Sequence, residues 1–263
     1  MENILHIILV GGKATRFGIL SKGVPKTIMP IGNTTLLHRQ ISQSLNAGNK
    51  KILVATSKFF REQIINSLEE YPDIKVIYKT NDAKGPLYTL RNILTNVSKS
   101  TTIILTLGDI YFRDNPFTKL DVSIDTRRIY LAGAKAFNQK DLAFGGVIFV
   151  DKKKVTAIVK KSICGNNKGF KWSGTAIFNA DIKVDLEKFL KFDKREIEDF
   201  FEYCRMVHYK VRFIEIPDFI NVNKPEDFHI ATLYNLAEVY KTGWENLFIT
   251  AATTIRKEYL KNK

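Results

Sequence analysis

Short apolar runs alternate with segments of helical period through the first half of the chain, and this alternation restricts the fold more than any other feature. The apolar runs predict strands at Ile4–Val10, Lys51–Thr56, Ile74–Tyr78, Thr102–Thr106 and Ile129–Ala134. The segments between them predict helices at Thr35–Asn46, Phe59–Glu70 and Leu87–Leu94. Such alternation is typical of a mostly parallel sheet with helices on its faces. The sequence therefore predicts an α/β fold, with a Rossmann-like mixed sheet that is mostly parallel and flanked by helices.

The second half of the chain is richer in predicted strands, and it ends in helices. The strands are predicted at Gly145–Val150, Val155–Val159, Lys171–Phe178 and Val211–Ile216. The helices are predicted near Leu186–Leu190, Arg195–Tyr203, Pro225–Tyr240 and Trp244–Leu260. No linker rich in proline, glycine or serine interrupts this order, which favours one domain over residues 1–240. Residues 241–263 are expected to form a C-terminal helical extension, which either packs on the same domain or serves in a homo-oligomer.

Charge and cysteine content limit the kinds of partner. The chain has 263 residues and a formal net charge of +14, so polyanions are attracted to it. The basic residues are scattered and form no basic helix, which favours a solvated basic surface or a site for phosphorylated small molecules over a nucleic-acid partner. Cys164 and Cys204 lack metal-ligand spacing, as in a reduced, cytoplasmic protein. Ile4–Val10 is too short to span a bilayer and follows no basic leader, so no signal peptide or membrane segment is expected.

A glycine-rich, basic segment follows the first predicted strand and is the strongest indication of function. It reads LVGGKATRFGILSKGVPKTIMPI, from Leu9 to Ile31. Open α/β sheets bind ligands beyond the carboxyl ends of their strands, where glycines let backbone N–H groups come close to an anion. Arg16 can form paired hydrogen bonds with phosphate oxygens, and Lys26 can supply a compact positive charge. The segment predicts a phosphate site, with an ordinary glycine turn as the alternative; its spacing matches neither a P-loop nor a dinucleotide-binding Gly-x-Gly-x-x-Gly.

Two polar residues at predicted strand ends suit a magnesium site. Asp109 ends the apolar segment Leu105–Asp109, and Asn221 ends a second apolar segment, just before a helix start at Pro225. Mg²⁺ takes one or two protein oxygens together with phosphate oxygens of a substrate. A Gly-Asp pair is also common in turns, and an asparagine can simply cap one, so both alternatives stay open.

Other chemistries find little support. The histidines, His6, His38, His208 and His229, form no metal-ligand pattern. The Gly-x-Ser-x-Gly elbow of serine hydrolases is absent. Asp109-Ile110-Tyr111 differs from the Asp-x-Asp of many metal-dependent glycosyltransferases with a related fold. A histidine-bound metal and acyl transfer are therefore not expected.

The glycine-rich segment resembles the signature of the sugar-phosphate nucleotidyltransferases, the NTP transferase family with a GT-A-like fold. The resemblance rests on Gly11-Gly12-Lys13-Ala14-Thr15-Arg16-Phe17, followed by Pro25-Lys26 and Pro30-Ile31. It implies that the nucleotide is wrapped by Gly11, Gly12, Lys13, Ala14 and Thr15. It also implies catalytic roles for Arg16, on the departing pyrophosphate, and for Lys26, near the reacting α-phosphate. Ala14 stands where the family commonly has glycine, which is a mild departure if its φ is negative.

The same resemblance assigns further residues to the metal, the nucleotide and the acceptor. They are Asp109 and Asn221 for Mg²⁺, Gly108 and Gly85 for the nucleotide, and Lys161, Gly174 and Trp172 for the acceptor. An ordinary turn is the alternative at Gly85, and a core position is the alternative for Trp172. Lys160 stands where hexose-using relatives have the glutamate that binds sugar hydroxyls, and this departure argues against an ordinary hexose.

The activity implied by the resemblance is Mg²⁺-dependent transfer of a nucleoside monophosphate from a nucleoside triphosphate to a sugar 1-phosphate. Pyrophosphate leaves and a nucleotide-activated sugar forms. One alternative is a cytidylyl- or guanylyltransferase with a phosphocholine-like, polyol phosphate or pterin phosphate acceptor. Another is a non-catalytic nucleotide-binding subunit of the same fold. The base and the acceptor stay open at this stage.

Overall fold

The computed structural model describes residues 3–11, 17, 23–79, 85–120, 124–125, 127–136, 142, 145–160, 169–192, 196–240 and 244–261. The strands in these ranges are β1 (Ile4–Leu9), β2 (Pro30–Ile31), β3 (Thr34–Thr35), β4 (Ile52–Ser57), β5 (Lys75–Lys79), β6 (Thr102–Leu107), β7 (Ile110–Phe112), β8 (Arg128–Lys135), β9 (Gly146–Asp151), β10 (Lys154–Lys160), β11 (Phe170–Asn179), β12 (Lys210–Glu215) and β13 (Phe219–Asn221). The α-helices are α1 (Leu36–Asn46), α2 (Arg61–Ser67), α3 (Pro86–Thr95), α4 (Lys183–Phe189), α5 (Ile197–Met206), α6 (Pro225–Val239) and α7 (Glu245–Lys261).

A nine-stranded mixed sheet forms the centre of the fold, in the order β5-β4-β1-β6-β11-β8-β12-β10-β9. The strands β5, β4, β1 and β6 are parallel. The next strand, β11, is antiparallel to β6 and β8, and β9 and β10 form an antiparallel hairpin. The predicted α/β fold with a mixed sheet is confirmed. Parallel pairing dominates its first half, and antiparallel pairing dominates the rest.

The parallel strands β1, β4 and β6 are mostly buried because helices cover both faces of the sheet. All six residues of β4 are buried. On one face, Ile8 of β1 shares a core cluster with Leu37 and Ile41 of α1. On the other face, Ile7 of β1 shares a cluster with Leu90 of α3. Successive residues of a strand point to opposite faces, so one apolar run supplies both layers of the core.

Two small antiparallel pairs lie outside the main sheet, β2–β3 and β7–β13. They were not predicted, because two or three residues are too few to show a hydrophobic period. The β7–β13 pair matters for the site because it aligns Asn221 with Ile110, the residue after Asp109. The backbone N–H of Val222 also donates to the carbonyl of Asp109 at 2.8 Å.

His6 of β1 lies in the core against α1 and β6, with no exposed surface. Its ring nitrogens are hydrogen-bonded to the hydroxyls of Ser44, at 2.7 Å, and Thr106, at 2.9 Å. Burial lowers the pKa of His6 from 6.5 to about 3. The neutral ring is therefore a structural part of the core.

The free energy of unfolding should fall as the pH drops below 6.5, because the unfolded chain then binds a proton that folded His6 does not bind until about pH 3. This contribution is fully present above pH 6.5 and is lost progressively toward pH 3. Between pH 7 and pH 5 the linkage amounts to about 2 kcal/mol. Urea unfolding at both pH values should show that the wild type loses about 2 kcal/mol more than His6→Gln. Equal losses would remove His6 as the cause.

The C-terminal helix α7 lies against α6. Ala252 of α7 is buried in the same cluster as Tyr234 of α6, and Arg256 forms an ion pair with Asp218. The exposed apolar residues at this end are Trp244, Leu247 and Ile255. A role of α7 in an oligomer and a domain boundary at residue 240 stay predictions. Among the described residues, no helix combines the length and the apolar character needed to cross a bilayer.

Candidate active site

A cleft of about 250 Å³ opens at the carboxyl ends of β1, β4 and β6. These strands are parallel neighbours, so their last residues meet at one edge of the sheet. Open α/β sheets bind their ligands at this edge. The described residues that line the cleft are Leu9, Val10, Gly11, Lys26, Thr27, Ala55, Thr56, Gly85, Pro86, Thr89, Leu107 and Asp109.

Gly108 lets the end of β6 lie directly against the end of β1. Its N–H donates to the carbonyl of Leu9 at 2.9 Å. A Cβ at this position would lie 2.4 Å from Cγ1 of Val10 and 3.1 Å from the carbonyl oxygen of Leu9. A side chain is therefore excluded here, and the close approach of the two strand ends places Asp109 at the cleft.

Lys26 lies beside Asp109, although the two residues are far apart in the sequence. Its Nζ donates to Oδ2 of Asp109 at 2.9 Å and to the carbonyl oxygen of Val222 at 2.7 Å. A third acceptor, Oδ1 of Asn223, lies 3.4 Å away. Lys26 is only 7% exposed. The structure thus brings together two residues that the sequence predicts separately, and holds one positive charge in a fixed place.

Asn221 and Asn223 complete this group from the end of β13. Nδ2 of Asn223 donates to Oδ1 of Asn221 at 2.6 Å. Asp227 fixes the segment, because its Oδ2 accepts from the backbone N–H groups of Asn223 and Lys224 at the start of α6. Asn223 was not predicted as a site residue. The sequence signal for Asn223 is its spacing of two residues from Asn221, because alternate residues of an extended segment point to the same side.

The oxygen atoms of this group fit a magnesium ion. Asp109 offers a carboxylate and Asn221 an amide oxygen, and both are the hard donors that Mg²⁺ prefers. No cluster of three or more His, Cys, Asp or Glu side chains suited to a metal occurs in the described part of the chain. Few protein ligands are typical of Mg²⁺ bound with substrate phosphates, because the phosphates and water supply the remaining oxygens.

Gln40 of α1 holds the segment that carries Asp109. Its Nε2 donates to the carbonyl of Leu107 at 3.1 Å and to the carbonyl of Ile110 at 2.7 Å, one on each side of Gly108 and Asp109. Gln40 is buried. It was not predicted, because a polar residue on a helix is ordinarily read as solvent-facing.

The glycine-rich segment is described only in part. Gly11 lines the cleft, and Gly85 lines it from the start of α3. Gly85 has a φ of 85°, a left-handed conformation that favours glycine, and Pro86 follows at the first helical position. The predicted site residues outside the described ranges are Gly12, Lys13, Ala14, Thr15, Arg16 and Lys161.

Trp172 and Gly174 lie at an irregularity in β11, where its register against β8 shifts. Trp172 is buried, its Nε1 donates to the carbonyl of Thr175 at 3.0 Å, and its ring packs edge-on against Phe201. Gly174 has a φ of 68°, and a Cβ there would lie 2.9 Å from the side chain of Leu107. Both residues therefore have packing roles, and their contact with an acceptor stays a prediction.

Two adjacent glycines, Gly145 just before β9 and Gly146 at its first residue, lie close to side chains of other elements. A Cβ on Gly145 would lie 3.7 Å from Nδ2 of Asn221, and one on Gly146 would lie 3.0 Å from Cγ of Glu198. Burial raises the pKa of Glu198 above its usual range. Lys160 is aligned with Gly146 in the β9–β10 pair. Its ammonium forms an ion pair with Glu196, which lies two residues before Glu198.

Comparison with known proteins finds a family model that is similar to the first part of the chain. Residues 6–119 match the MobA-like NTP transferase domain. A curated relative is the bifunctional protein GlmU of Methanococcus aeolicus, 31% identical over 109 residues, which cover 41% of this chain and 25% of the relative. The chain thus spans about a quarter of the length of that relative.

Solved structures share the fold over most of the chain. The inositol-1-phosphate CTP transferase of T. maritima superposes with a TM-score of 0.77 at 16% identity, covering 91% of this chain and 96% of the other. HddC of Yersinia pseudotuberculosis superposes with a TM-score of 0.69 at 22% identity, covering 88% and 98%. At these identities the likeness establishes a common fold and leaves the substrates open.

Proposed function

We propose that the chain is a nucleotidyltransferase acting on a small phosphorylated acceptor, a proposal supported by the match of residues 6–119 to the MobA-like NTP transferase domain. It transfers a nucleoside monophosphate from a nucleoside triphosphate to a sugar 1-phosphate and releases pyrophosphate. The observation that carries the proposal is the Lys26–Asp109 pair, 2.9 Å apart, at the carboxyl ends of the parallel strands and beside Asn221. A fixed cation next to oxygen donors for a metal is what two polyanionic reactants need.

The reaction is an in-line attack of an acceptor phosphate oxygen on the α-phosphorus, with pyrophosphate as the leaving group. A phosphate is already an anionic nucleophile, so a strong general base is unnecessary. The obstacle is repulsion between the reactants: two unit charges ~4 Å apart repel by roughly 4 kcal/mol at an effective dielectric constant of ~20. Positive groups held in place before the reaction lower this cost most effectively.

Lys26 supplies one such group. Its ammonium is held by Asp109, Val222 and Asn223, so it needs little reorganisation when the phosphates approach. We assign Arg16 and Lys13 to the departing pyrophosphate, as the sequence motif implies. The backbone at Gly11 borders the cleft and is assigned to the nucleotide.

Asp109 and Asn221 would hold Mg²⁺, with Asn223 orienting the amide of Asn221 through its hydrogen bond of 2.6 Å. When bound, the ion neutralises phosphate charge and helps to align the reacting groups. Gln40 and Gly108 act through Asp109, since they fix the backbone that presents its carboxylate. They are positioning residues in this scheme.

A specific observation favours a non-hexose acceptor as the second candidate. Lys160 replaces the glutamate expected to bind sugar hydroxyls, and its ammonium is paired with Glu196. A polyol phosphate or a related phosphorylated acceptor is therefore included in the proposal. A non-catalytic nucleotide-binding subunit is the alternative of a different class.

The test is a pyrophosphate-release screen of the common triphosphates, each with Mg²⁺, against sugar 1-phosphates, polyol phosphates and phosphocholine. Release that requires one triphosphate and one acceptor supports the transferase and identifies its substrates. Specific triphosphate binding without release for any acceptor favours the non-catalytic alternative. Absence of triphosphate binding would contradict both.

A further inference from the structure

The described residues that line the cleft are charged at one end and neutral at the other. Lys26 and Asp109 are the charged side chains among the described residues that line it. Thr56 lines it from the end of β4, which is separated from β6 and Asp109 by β1. Thr89 lines it from the start of α3, which the chain enters after β5, the neighbour of β4. A nucleotide has the same polarity, with charged phosphates at one end and a neutral base at the other.

Three threonines that line the cleft have buried hydroxyls without a hydrogen-bond partner among the described residues. Thr27, Thr56 and Thr89 are 3%, 1% and 5% exposed, and the Oγ1 atom of each makes no hydrogen bond within the described ranges of the chain. A threonine in a helix commonly donates to the carbonyl four residues before it, yet Thr89 does not. Buried polar atoms in folded proteins are nearly always paired, so three unpaired hydroxyls in one cleft require an explanation.

Packing alone does not explain why threonine stands at these positions. A buried hydroxyl without a partner destabilises the protein, and valine has nearly the same shape without that cost. Packing alone would therefore favour valine at these positions. Thr27 lies next to Lys26 at the charged end, and its Cγ2 would be 3.4 Å from a Cβ on Gly108. Thr56 and Thr89 line the cleft from β4 and α3, neither of which carries Lys26 or Asp109.

We propose that Thr56 and Thr89 are specificity-determining residues whose hydroxyls hydrogen-bond the polar edge of the nucleobase. This inference rests on the proposed function and adds the residues that read the base. Both oxygens are covered in the structure, so contact requires a rotation about χ1 that exchanges the hydroxyl with the methyl group. A hydroxyl both donates and accepts, and it turns to suit its partner. The two threonines therefore favour binding of a base that carries a polar substituent on this edge.

The experiment measures triphosphate affinity and stability in the same variants. Thr56→Val and Thr89→Val should each raise the Kd of the preferred triphosphate by about tenfold, measured by calorimetric titration with ATP, GTP, CTP, UTP and dTTP. Without nucleotide, each should unfold at the wild-type temperature or about 2 °C higher, because an unpaired hydroxyl has been removed. Thr56→Ser and Thr89→Ser, which keep the hydroxyl, should bind as the wild type does.

Thr175→Val is the matched control, since Thr175 is also buried with an unpaired hydroxyl but does not line the cleft. It should leave the Kd unchanged. A further titration uses a triphosphate whose base lacks the polar substituent at the 4-position of a pyrimidine or the 6-position of a purine. The wild type should bind it more weakly than the parent triphosphate, and the valine variants should discriminate less.

The outcomes separate this inference from the proposed function. If the wild type binds a triphosphate and both valine variants bind it equally well with the same preference among bases, the role of Thr56 and Thr89 is wrong while the nucleotidyltransferase stands. If the wild type binds no triphosphate, both fail. Loss of affinity in the valine variants, recovered in the serine variants, supports the inference.

Discussion

Asp109→Asn should lower the rate of pyrophosphate release by about 100-fold or more. Asparagine has nearly the same shape as aspartate, so the change removes one negative charge and little packing. The carboxylate is the strongest oxygen donor of the proposed magnesium site and the counterion of Lys26, at 2.9 Å. Its loss should therefore also raise the Mg²⁺ concentration that gives half of the maximal rate by about tenfold or more. Initial rates across a Mg²⁺ titration measure both effects.

Asp114→Asn is the control for this substitution, because Asp114 is an exposed carboxylate a few residues farther along the chain and does not line the cleft. It should leave the rate and the Mg²⁺ dependence unchanged. An Asp109→Asn enzyme with a normal Mg²⁺ titration would remove Asp109 from the metal site. Circular dichroism and urea unfolding of both variants show whether a lower rate reflects unfolding instead.

The elements that the sequence predicts correctly are those in which one physical signal acts over many residues. The strands of the main sheet and its helices are present, with ends that shift by no more than three residues. The first strand, Ile4–Leu9, and the strand before Asp109 are mostly apolar, as expected for strands covered on both faces. Parallel neighbouring strands end at the same edge of the sheet. The motif that contains Lys26, the strand pattern and the sheet topology therefore together predict that Lys26 and Asp109 lie at that edge.

The parts of the site that were not predicted depend on contacts between distant residues. Gln40 donates to the backbone carbonyls on either side of Gly108 and Asp109, and Asn223 is hydrogen-bonded to Lys26 and Asn221. The Gln40 contact leaves no mark in the local sequence, and the one signal for Asn223 is its spacing from Asn221. Thr56 lies in a strand, where threonine is common, so only its lack of a hydrogen-bond partner in the described part of the chain distinguishes it. Local patterns predict elements and charged clusters, whereas unsatisfied groups and supporting hydrogen bonds are visible only in three dimensions.

Lys26→Met should lower kcat by about 100-fold or more while changing the Kd of the triphosphate much less. Methionine keeps the length of the side chain and removes its charge. The ammonium of Lys26 lies between Asp109 and the carbonyl of Val222, where charge builds up in the transition state of the proposed reaction. Single-turnover rates and direct binding separate the two quantities. Lys75→Met, on the exposed surface of the edge strand β5, is the matched control and should behave as the wild type.

The double variant Lys26→Met/Asp109→Asn distinguishes catalysis from stability. Lys26→Met alone leaves the partly buried carboxylate of Asp109 without its cation, which should reduce the free energy of unfolding by about 2 to 3 kcal/mol. Removing the carboxylate as well takes away the unpaired charge, so the double variant should recover much of that stability. It should not recover activity, because both groups proposed to act on the phosphates are absent. Recovery of turnover together with stability would mean that the pair only holds the fold, and near-normal turnover of Lys26→Met alone would remove Lys26 from the reaction.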